Sequence, residues 1–262
     1  MLGSIKEIGS ASLVVVKIGS SSITGDNSHQ LAYVCELVAN LRKQEIAVVV
    51  VSSGAIASSG PILGLTAKAT DLPTSQAMAA VGQLKLMADY QRELSTHGLV
   101  AGQVLLTPEN LENSQSRSNA LQAFSRLIEM GVVPIVNEND TVATEEIRFG
   151  DNDGLAASVA TLLDSDLLIL LSDVDAIYTG PPDEPGSEPI PRISSEQDLL
   201  GVRISGTSTG FGTGGATTKV SAALKVSESG IPVMLTSVTN ANKVLSGDFT
   251  HTWFEAKNKL YS

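Results

Sequence analysis

A glycine- and threonine-rich segment that ends in a lysine, residues 212–219 (GTGGATTK), carries the clearest chemical signal in the sequence. Glycines let the backbone approach a ligand closely, and hydroxyl side chains add hydrogen-bond donors. The segment leads into an amphipathic stretch, so Lys219 falls in a first helical turn, next to a helix N-terminus that favours anions. The pattern predicts a cationic cradle for a phosphate group. The alternative is an ordinary loop that precedes a capped helix.

A second lysine, Lys17, ends an apolar run and opens a Gly-Ser-Ser turn at residues 19–21. Its ammonium would lie beside free backbone N–H groups, an arrangement that can clamp a phosphate. The alternative is a lysine whose aliphatic stem covers the end of a strand. The next apolar run ends in a turn at Ser53 and Gly54, where small residues permit an anion to approach the backbone. An ordinary strand-to-helix turn with a serine cap would have the same sequence.

Two short loops concentrate carboxylates and amides, and each of them follows an apolar segment. The first is residues 137–140 (NEND), and the second is residues 149–154 (FGDNDG), which opens a helix. The carboxylates would repel one another unless a cation lay between them, and a substrate ammonium, a lysine or Mg²⁺ would serve. The alternative is a pair of polar turns with Asp and Asn caps. The candidate site residues in these loops are Asn137, Asp140, Asp151, Asn152 and Asp153.

A third polar turn, Ser172 and Asp173, ends another apolar run. Its hydroxyl and carboxylate are suited to hydrogen bonds with the ribose or phosphate of a nucleotide. A plain turn at the end of a strand is an equal alternative on this pattern alone.

Three familiar motifs fail in this sequence. Residues 210–215 match the dinucleotide pattern G-x-G-x-x-G, but neither a buried strand before it nor the required acidic residue about 20 positions later is present. The lysine of segment 212–219 comes after the hydroxyl residues, contrary to the Walker pattern. Residues 206–210 match the hydrolase elbow G-x-S-x-G, but they also lack the preceding core strand, and Asp248 and His251 lie too close together for separate triad loops. The histidines show no metal-ligand spacing.

Alternation of short apolar runs with amphipathic stretches indicates how these turns are positioned. The runs are rich in β-branched residues and nearly continuously apolar, as in strands buried on both faces. Strand–helix alternation predicts a doubly wound, mostly parallel α/β sheet, in which ligands bind at the carboxyl ends of the strands. The predicted strands are residues 13–18, 46–51, 99–105, 132–136, 167–171 and 231–235, and the predicted helices are residues 29–44, 75–97, 115–130, 154–163 and 217–229. Proline-rich residues 181–191 are predicted to form a surface loop or hairpin.

Composition limits the remaining classes of protein. With 42% hydrophobic and 17% charged residues the chain can fill a large core, and we expect one domain over residues 1–262. A net charge of −11 without any basic run argues against nucleic-acid binding. The one cysteine, Cys35, excludes an internal disulfide and reads as a helical core residue. Without a run of about 18 apolar residues or an apolar leader, we expect no membrane span and a cytoplasmic location.

Taken together, these segments resemble the amino-acid-kinase family, and within it the members that phosphorylate glutamate. The matching segments follow in order along nearly the whole chain: VVVKIGSSS, VVVSSGAIA, QAMAAVGQ, GQVLLT, PIVNENDTVAT, FGDNDGLAASVA, LLSDVDAIYT and GTGGATTK. The segments NENDTVAT and GTGGATTK are the specific ones. The first strand with its lysine and the SSGA turn are shared with kinases of acetylglutamate, aspartate, carbamate and UMP.

The resemblance implies a three-layer α/β/α sandwich with a mostly parallel central sheet that holds ATP and L-glutamate in one domain. It also implies roles for the candidate residues: Lys17 and Lys219 contact the transferring phosphoryl group, and Asp153 orients both ammonium groups. The implied glutamate site comprises Ser53, Gly54, Asn137, Asp140, Asp151 and Asn152. The implied ATP site comprises Lys17, Ser172, Asp173, Thr213, Gly214, Gly215, Ala216, Thr217, Thr218 and Lys219.

The expected activity is transfer of a phosphoryl group from ATP, with Mg²⁺, to the side-chain carboxylate of L-glutamate, the first step of proline biosynthesis. Feedback inhibition by proline and a homodimer or homotetramer are further implications of the resemblance. Many members carry a C-terminal PUA domain of RNA-binding type, for which the chain has no room after residue 262, and we expect the kinase core to be complete without it.

Three other functions stay open at this stage. A related carboxylate or carbamate kinase, such as an acetylglutamate kinase, would share the fold, but the acidic loops favour a substrate with a free ammonium. A non-catalytic nucleotide sensor would bind ATP without turnover, against which both lysines and Asp153 argue. A serine hydrolase is the weakest of the three.

Overall fold

A computed structural model describes residues 2–65, 69, 71–142, 152–202 and 216–257 of the chain. The strands in these ranges are β1 (Leu13–Ile18), β2 (Ala47–Ser52), β3 (Val100–Leu106), β4 (Val132–Glu138), β5 (Leu167–Ser172), β6 (Ile177–Tyr178), β7 (Pro189–Ile190), β8 (Arg192–Ile193), β9 (Val233–Ser237) and β10 (Thr252–Phe254). The α-helices are α1 (Leu31–Lys43), α2 (Ala55–Leu63), α3 (Leu72–Ser95), α4 (Pro108–Glu112), α5 (Ser114–Glu129), α6 (Asn152–Leu162) and α7 (Ala216–Glu228).

The described residues form an eight-stranded sheet in the order β3-β4-β2-β1-β5-β9-β10-β8. The strand pairs from β3 through β9 are all parallel. Strand β10 pairs antiparallel with β9 and parallel with β8. The mostly parallel sheet predicted from the sequence is therefore confirmed.

Successive residues of the central strands bury opposite faces of the sheet. Val14 and Val16 pack in a core with side chains of α1 and α3, while Val15 packs in a second core with side chains of α5, α6 and α7. All three valines are fully buried, which explains the continuous apolar pattern of the strands. Two helical layers thus enclose the sheet, and the α/β/α sandwich is confirmed.

The predicted strands and helices differ from the observed ones by at most three residues at either end. Helix α2 was missed because Gly60 and Pro61 interrupt its sequence pattern. It is held tightly against α3, since a Cβ atom built on Gly82 of α3 would lie only 1.6 Å from the carbonyl oxygen of Ala55.

The prediction that every strand is buried on both faces is wrong for β3. Strand β3 lies at the edge of the sheet, and Val100 is 53% exposed. Its apolar sequence resembles that of the central strands, but an edge strand has a neighbour on one side only.

The proline-rich segment is a hairpin loop, as predicted. It connects β6 with β7, which pair antiparallel as a separate two-stranded ribbon. Strands β8 and β10 were not predicted, because two- and three-residue strands carry too little pattern to detect.

Cys35 lies in the core on α1, as predicted, and burial raises the pKa of its thiol to about 12. A helix with the length and hydropathy needed to span a bilayer does not occur in the part of the chain that the structure describes.

Candidate active site

Four adjacent parallel strands bring the polar turns to one edge of the sheet. Strands β4, β2, β1 and β5 are neighbours, and their carboxyl ends are Glu138, Ser52, Ile18 and Ser172. Loops at the carboxyl ends of parallel strands are the usual ligand site of open α/β sheets.

At this edge, two lysines meet one aspartate. Lys17 Nζ forms an ion pair with Asp153 Oδ1, and Lys219 Nζ lies 3.3 Å from Asp153 Oδ2. Thr218 Oγ1 also donates to Asp153 Oδ2, at 3.2 Å. The side chains of Lys17, Lys219 and Asp153 are 2%, 9% and 1% exposed. The cluster carries one net positive charge, so it is electrostatically suited to an anion.

Three different elements supply this cluster. Lys17 lies on the same face of β1 as Val15. This face is directed towards α6 and α7, which contact each other. Asp153 lies in the first turn of α6, where a carboxylate is stabilised by the helix macrodipole. Lys219 is in the first turn of α7, where a cation opposes the macrodipole and its burial adds a desolvation cost. A residue placed against local preference in this way is expected at a functional site.

One glycine turn approaches Lys17, and a second one packs against the first. A Cβ atom on Gly19 would lie 4.0 Å from Lys17 Nζ, so this backbone lies directly beside the ammonium. Gly54 has φ +107°, and a Cβ there would lie 3.1 Å from Thr24 Cγ2 and 3.7 Å from Ser20 Cα. Ser53 N donates to Ile18 O at 3.1 Å, which ties the second turn to the end of β1. Position 54 requires glycine because of its positive φ and because a side chain there would crowd Thr24.

A chain of buried amides starts next to the charged cluster. Asn152, the neighbour of Asp153, donates from Nδ2 to Ser52 O and to Asn137 Oδ1, both at 2.7 Å. Asn137 Nδ2 in turn donates to Gln83 Oε1 at 2.8 Å. Since both Nδ2 protons of Asn152 are used in this way, its Oδ1 is the atom left to accept a further hydrogen bond. The network fixes the start of α6 relative to β2, β4 and α3.

Asp140 lies on a small cavity of about 20 Å³ at the far end of this network. Gln83, Ala55, Glu138 and Asn139 also line it. The cavity has room for about one water molecule. The cavity therefore locates one part of the candidate site but is too small to outline a substrate.

Ser172 and Asp173 lie on the other side of Lys17. Leu171 pairs with Ile18, so the turn after β5 is next to the turn after β1. Ser172 is buried and its hydroxyl donates to Asp173 Oδ1 at 2.9 Å, while Asp173 is exposed.

Most of the predicted site residues thus converge on one edge, on both sides of Lys17. Ala216 begins α7, and Thr217 and Thr218 are exposed in the same first turn as Lys219. Asp151, Thr213, Gly214 and Gly215 lie outside the described residues.

No role for Gln83 was predicted from the sequence. A signal was present, because Gln83 occupies the buried stripe of α3 together with Ala79, Leu86 and Tyr90. A polar residue at an apolar position of that periodicity points to a specific hydrogen-bonding partner.

The family model described as "Amino acid kinase family" matches residues 12–237. The chain belongs to the amino acid kinase family.

The curated relatives are more specific. The chain is 53% identical to "Glutamate 5-kinase" from Clavibacter michiganensis, covering 94% of this chain and 95% of the relative. It is 52% identical to "Glutamate 5-kinase" from Leifsonia xyli, covering 95% of this chain and 92% of that protein. The "Glutamate 5-kinase" of Thermobifida fusca is a longer protein, 49% identical, of which the match covers 65%.

Solved structures agree on the fold. Carbamate kinase from Giardia lamblia bound to AMP-PNP has a TM-score of 0.67 at 15% identity, covering 95% of this chain and 100% of that one. Isopentenyl phosphate kinase from T. acidophilum has a TM-score of 0.63 at 16% identity, covering 93% and 100%. At these identities the likeness concerns the fold alone.

Proposed function

We propose that this protein transfers the γ-phosphoryl group of ATP to the side-chain carboxylate of L-glutamate, giving L-glutamyl 5-phosphate and ADP, the first step of proline biosynthesis. The observation that carries the proposal is the meeting of Lys17 and Lys219 on Asp153 at the carboxyl edge of a parallel sheet. The names and the identities of the curated relatives support the choice of substrate.

In the proposed reaction, a carboxylate oxygen attacks the γ-phosphorus, a new P–O bond forms, and the bond to the β–γ bridging oxygen breaks as ADP leaves. The carboxylate is already ionised at neutral pH, so the reaction needs no general base. The obstacle is the repulsion between an anion and a polyphosphate. Preorganised cations and backbone N–H groups lower that barrier.

We assign this electrostatic role to the two lysines. Their ammonium groups hold the γ-phosphoryl oxygens, Asp153 fixes their positions, and the backbone beside Gly19 adds N–H donors. Because the cluster has two cations and one carboxylate, it keeps a net positive charge for the anionic substrates.

The glutamate site is assigned to the polar groups on the β2 and β4 side of the cluster. Asp140 and Asn152 Oδ1 accept from the substrate ammonium. The turn at Ser53 and Gly54 presents the N–H group of Gly54 to a carboxylate, since that of Ser53 donates to Ile18 O. Asn137 and Asp151 act in support, Asn137 through its hydrogen bond with Asn152.

The ATP site is assigned to the β5 and α7 side. Ser172 and Asp173 follow the strand beside β1, and residues 213–219 lead into α7, whose N-terminus favours phosphate. Placing nucleotide and amino acid on opposite sides of Lys17 gives the in-line approach that phosphoryl transfer requires.

Mg²⁺ is proposed to arrive bound to ATP. In nucleotide sites it is commonly held by substrate phosphates, water and one or two carboxylates. Both oxygens of Asp153 face ammonium groups, which makes this carboxylate a poor metal ligand. When bound, the ion neutralises charge on the phosphates, while the lysines do so from the protein side.

We further infer one kinase domain over residues 1–262, which the family match and the single large sheet support. A homodimer or homotetramer is supported by exposed apolar side chains on the helices after β2, such as Ile62 and Leu84, the latter 76% exposed, and on α5 after β3, such as Leu121. Inhibition by proline at a site overlapping that of glutamate, and a cytoplasmic location, stay predictions from the sequence.

The function is tested by a substrate panel with ATP and Mg²⁺, in which ADP is measured and the acyl phosphate is trapped with hydroxylamine. We expect glutamate-dependent ADP and hydroxamate, and little product with N-acetylglutamate, which lacks a free ammonium. Preference for N-acetylglutamate or carbamate would make the protein a different carboxylate or carbamate kinase. Nucleotide binding without ADP formation from any acceptor would make it a sensor.

A further inference from the structure

The orientation of the Gln83 side-chain amide follows from its neighbours. Glu138 N, which can only donate, bonds to Asn137 Oδ1 at 2.9 Å. Asn137 must therefore direct its Nδ2 group towards Gln83. Gln83 accepts this hydrogen bond with Oε1, at 2.8 Å. Nε2 of Gln83 is consequently directed away from the network.

Gln83 Nε2 is a buried donor without a partner among the described residues. Gln83 is 9% exposed and lines the cavity that Asp140 also lines. A buried N–H group that stays without an acceptor costs about 1–3 kcal/mol, so such a group calls for an explanation. A water molecule in the cavity would satisfy Nε2 in the empty site, and a substrate that displaces this water has to supply an acceptor in its place.

The position of Gln83 is fixed by packing. Its neighbour Gly82 allows α3 to touch the carbonyl of Ala55, at the start of α2 and next to the turn at Ser53 and Gly54. The amide is thus held beside the proposed glutamate site by backbone contact rather than by a flexible side chain alone.

We propose that Gln83 Nε2 donates a hydrogen bond to the α-carboxylate of the amino-acid substrate, the carboxylate that does not react. This assignment rests on the proposed function. An ammonium cannot accept a hydrogen bond, so the substrate group that bonds to Nε2 has to be an oxygen. Asp140 on the same cavity provides the acceptor for the neighbouring ammonium, and the pair recognises both charges of a free amino acid.

The reacting carboxylate is excluded as the partner by distance along the network. It has to lie at Lys17 and Lys219, next to Asp153. Asn152 and Asn137 stand between that cluster and Gln83 in the hydrogen-bonded chain. Gln83 therefore faces the opposite end of the substrate.

The test compares glutamate with 4-aminobutyrate, which keeps the ammonium and the reacting carboxylate but has hydrogen in place of the α-carboxylate. For Gln83→Met, which removes the donor at similar volume, we expect kcat/KM for glutamate to fall about 10–100-fold, the scale of a hydrogen bond to a charged group. The kcat/KM for 4-aminobutyrate should change much less, by about threefold or less. If wild type does not phosphorylate 4-aminobutyrate, its inhibition constant against glutamate gives the same comparison.

An equal loss for both compounds would show that Gln83 only supports Asn137, and an unchanged glutamate constant would remove it from the site. Gln83→Glu serves if the methionine variant does not fold, because it keeps an oxygen for Asn137 Nδ2. As pH rises, the carboxyl group introduced by Gln83→Glu ionises and can no longer donate, so kcat/KM of this variant for glutamate should fall further below that of wild type. A ratio that does not change with pH would contradict the proposal. Calorimetric titration with glutamate measures the dissociation constants of wild type and variants without turnover. It therefore tests the role of Gln83 even if no glutamate-dependent ADP is formed, and the proposed function and the proposed role of Gln83 can fail separately.

Discussion

The two ends of the candidate site are equally buried but are built from different chemistry. At one end, Lys17, Lys219 and Asp153 bring three charges together. At the other, Gln83, Asn137 and Asn152 form a network of neutral amides. Burying charges costs several kcal/mol each, whereas a hydrogen-bonded amide costs little. The fold therefore buries a charged cluster where the proposed reaction moves charge, and a network of neutral amides, with Asp140 beside it, where the substrate is only held.

The largest effect is expected from removing the shared carboxylate. Asp153→Ala leaves two buried ammonium groups without a counter-charge, and we expect the free energy of unfolding to fall by about 3–5 kcal/mol. Denaturant unfolding followed by the fluorescence of Trp253 measures this. Asp89→Ala is the matched control, since Asp89 also pairs with two cations, Lys85 and Arg92, but at the surface, where about 0–1 kcal/mol is expected. Equal losses in the two variants would contradict a special charged end.

Lys219→Ala is expected to lower turnover by about 10²–10³-fold, the scale of losing one preorganised donor at the transition state. The glutamate and ATP Michaelis constants should change much less than kcat. Lys225→Ala, on an exposed position of the same helix, should leave turnover unchanged. Unchanged turnover in the Lys219 variant would remove this lysine from the mechanism.

At the end of the site with the amide network, Asp140→Asn should act on substrate binding. We expect the glutamate KM to rise about 10–100-fold, because a charge-assisted hydrogen bond to the ammonium is lost, with little change in the ATP KM. Initial rates with each substrate varied in turn measure both constants. Equal effects on the two constants would assign Asp140 elsewhere.

An effect of similar or smaller size is expected from Gly82→Ala. Alanine usually stabilises an exposed helix, but here its methyl group would meet the Ala55 carbonyl at 1.6 Å. We expect a net destabilisation of about 1–3 kcal/mol in thermal or denaturant unfolding. Ala80→Gly, at an exposed position of the same helix, gives the propensity contribution alone, about 1 kcal/mol. A more stable Gly82 variant would mean that α3 can move away from α2.

Most of the sheet could be predicted because central parallel strands are apolar on both faces and leave a continuous pattern, as at Val14, Val15 and Val16. Exposure along β3 could not be predicted, since strand order is set by tertiary contacts rather than by local sequence. Helix α2 was hidden by Pro61, and β10 by its length of three residues.

For the site, the charged residues were predicted because a lysine beside a glycine turn is rare and informative in an acidic chain. The structure adds that the cation required by Asp153 is a pair of lysines, one of the three possibilities left open. Gln83 was not found, because the orientation of an amide depends on a backbone N–H in a distant strand.

The insertion of β10 between β9 and β8 has a consequence for synthesis on the ribosome. Among the described residues, the neighbours of residues 192–193 in the large sheet are residues 252–254, which emerge later, so this margin of the sheet closes after the strands around β1 are complete. The indole of Trp253, the single tryptophan of the chain, enters the interior in that closing step. Its emission is therefore a natural reporter of the closure of this margin.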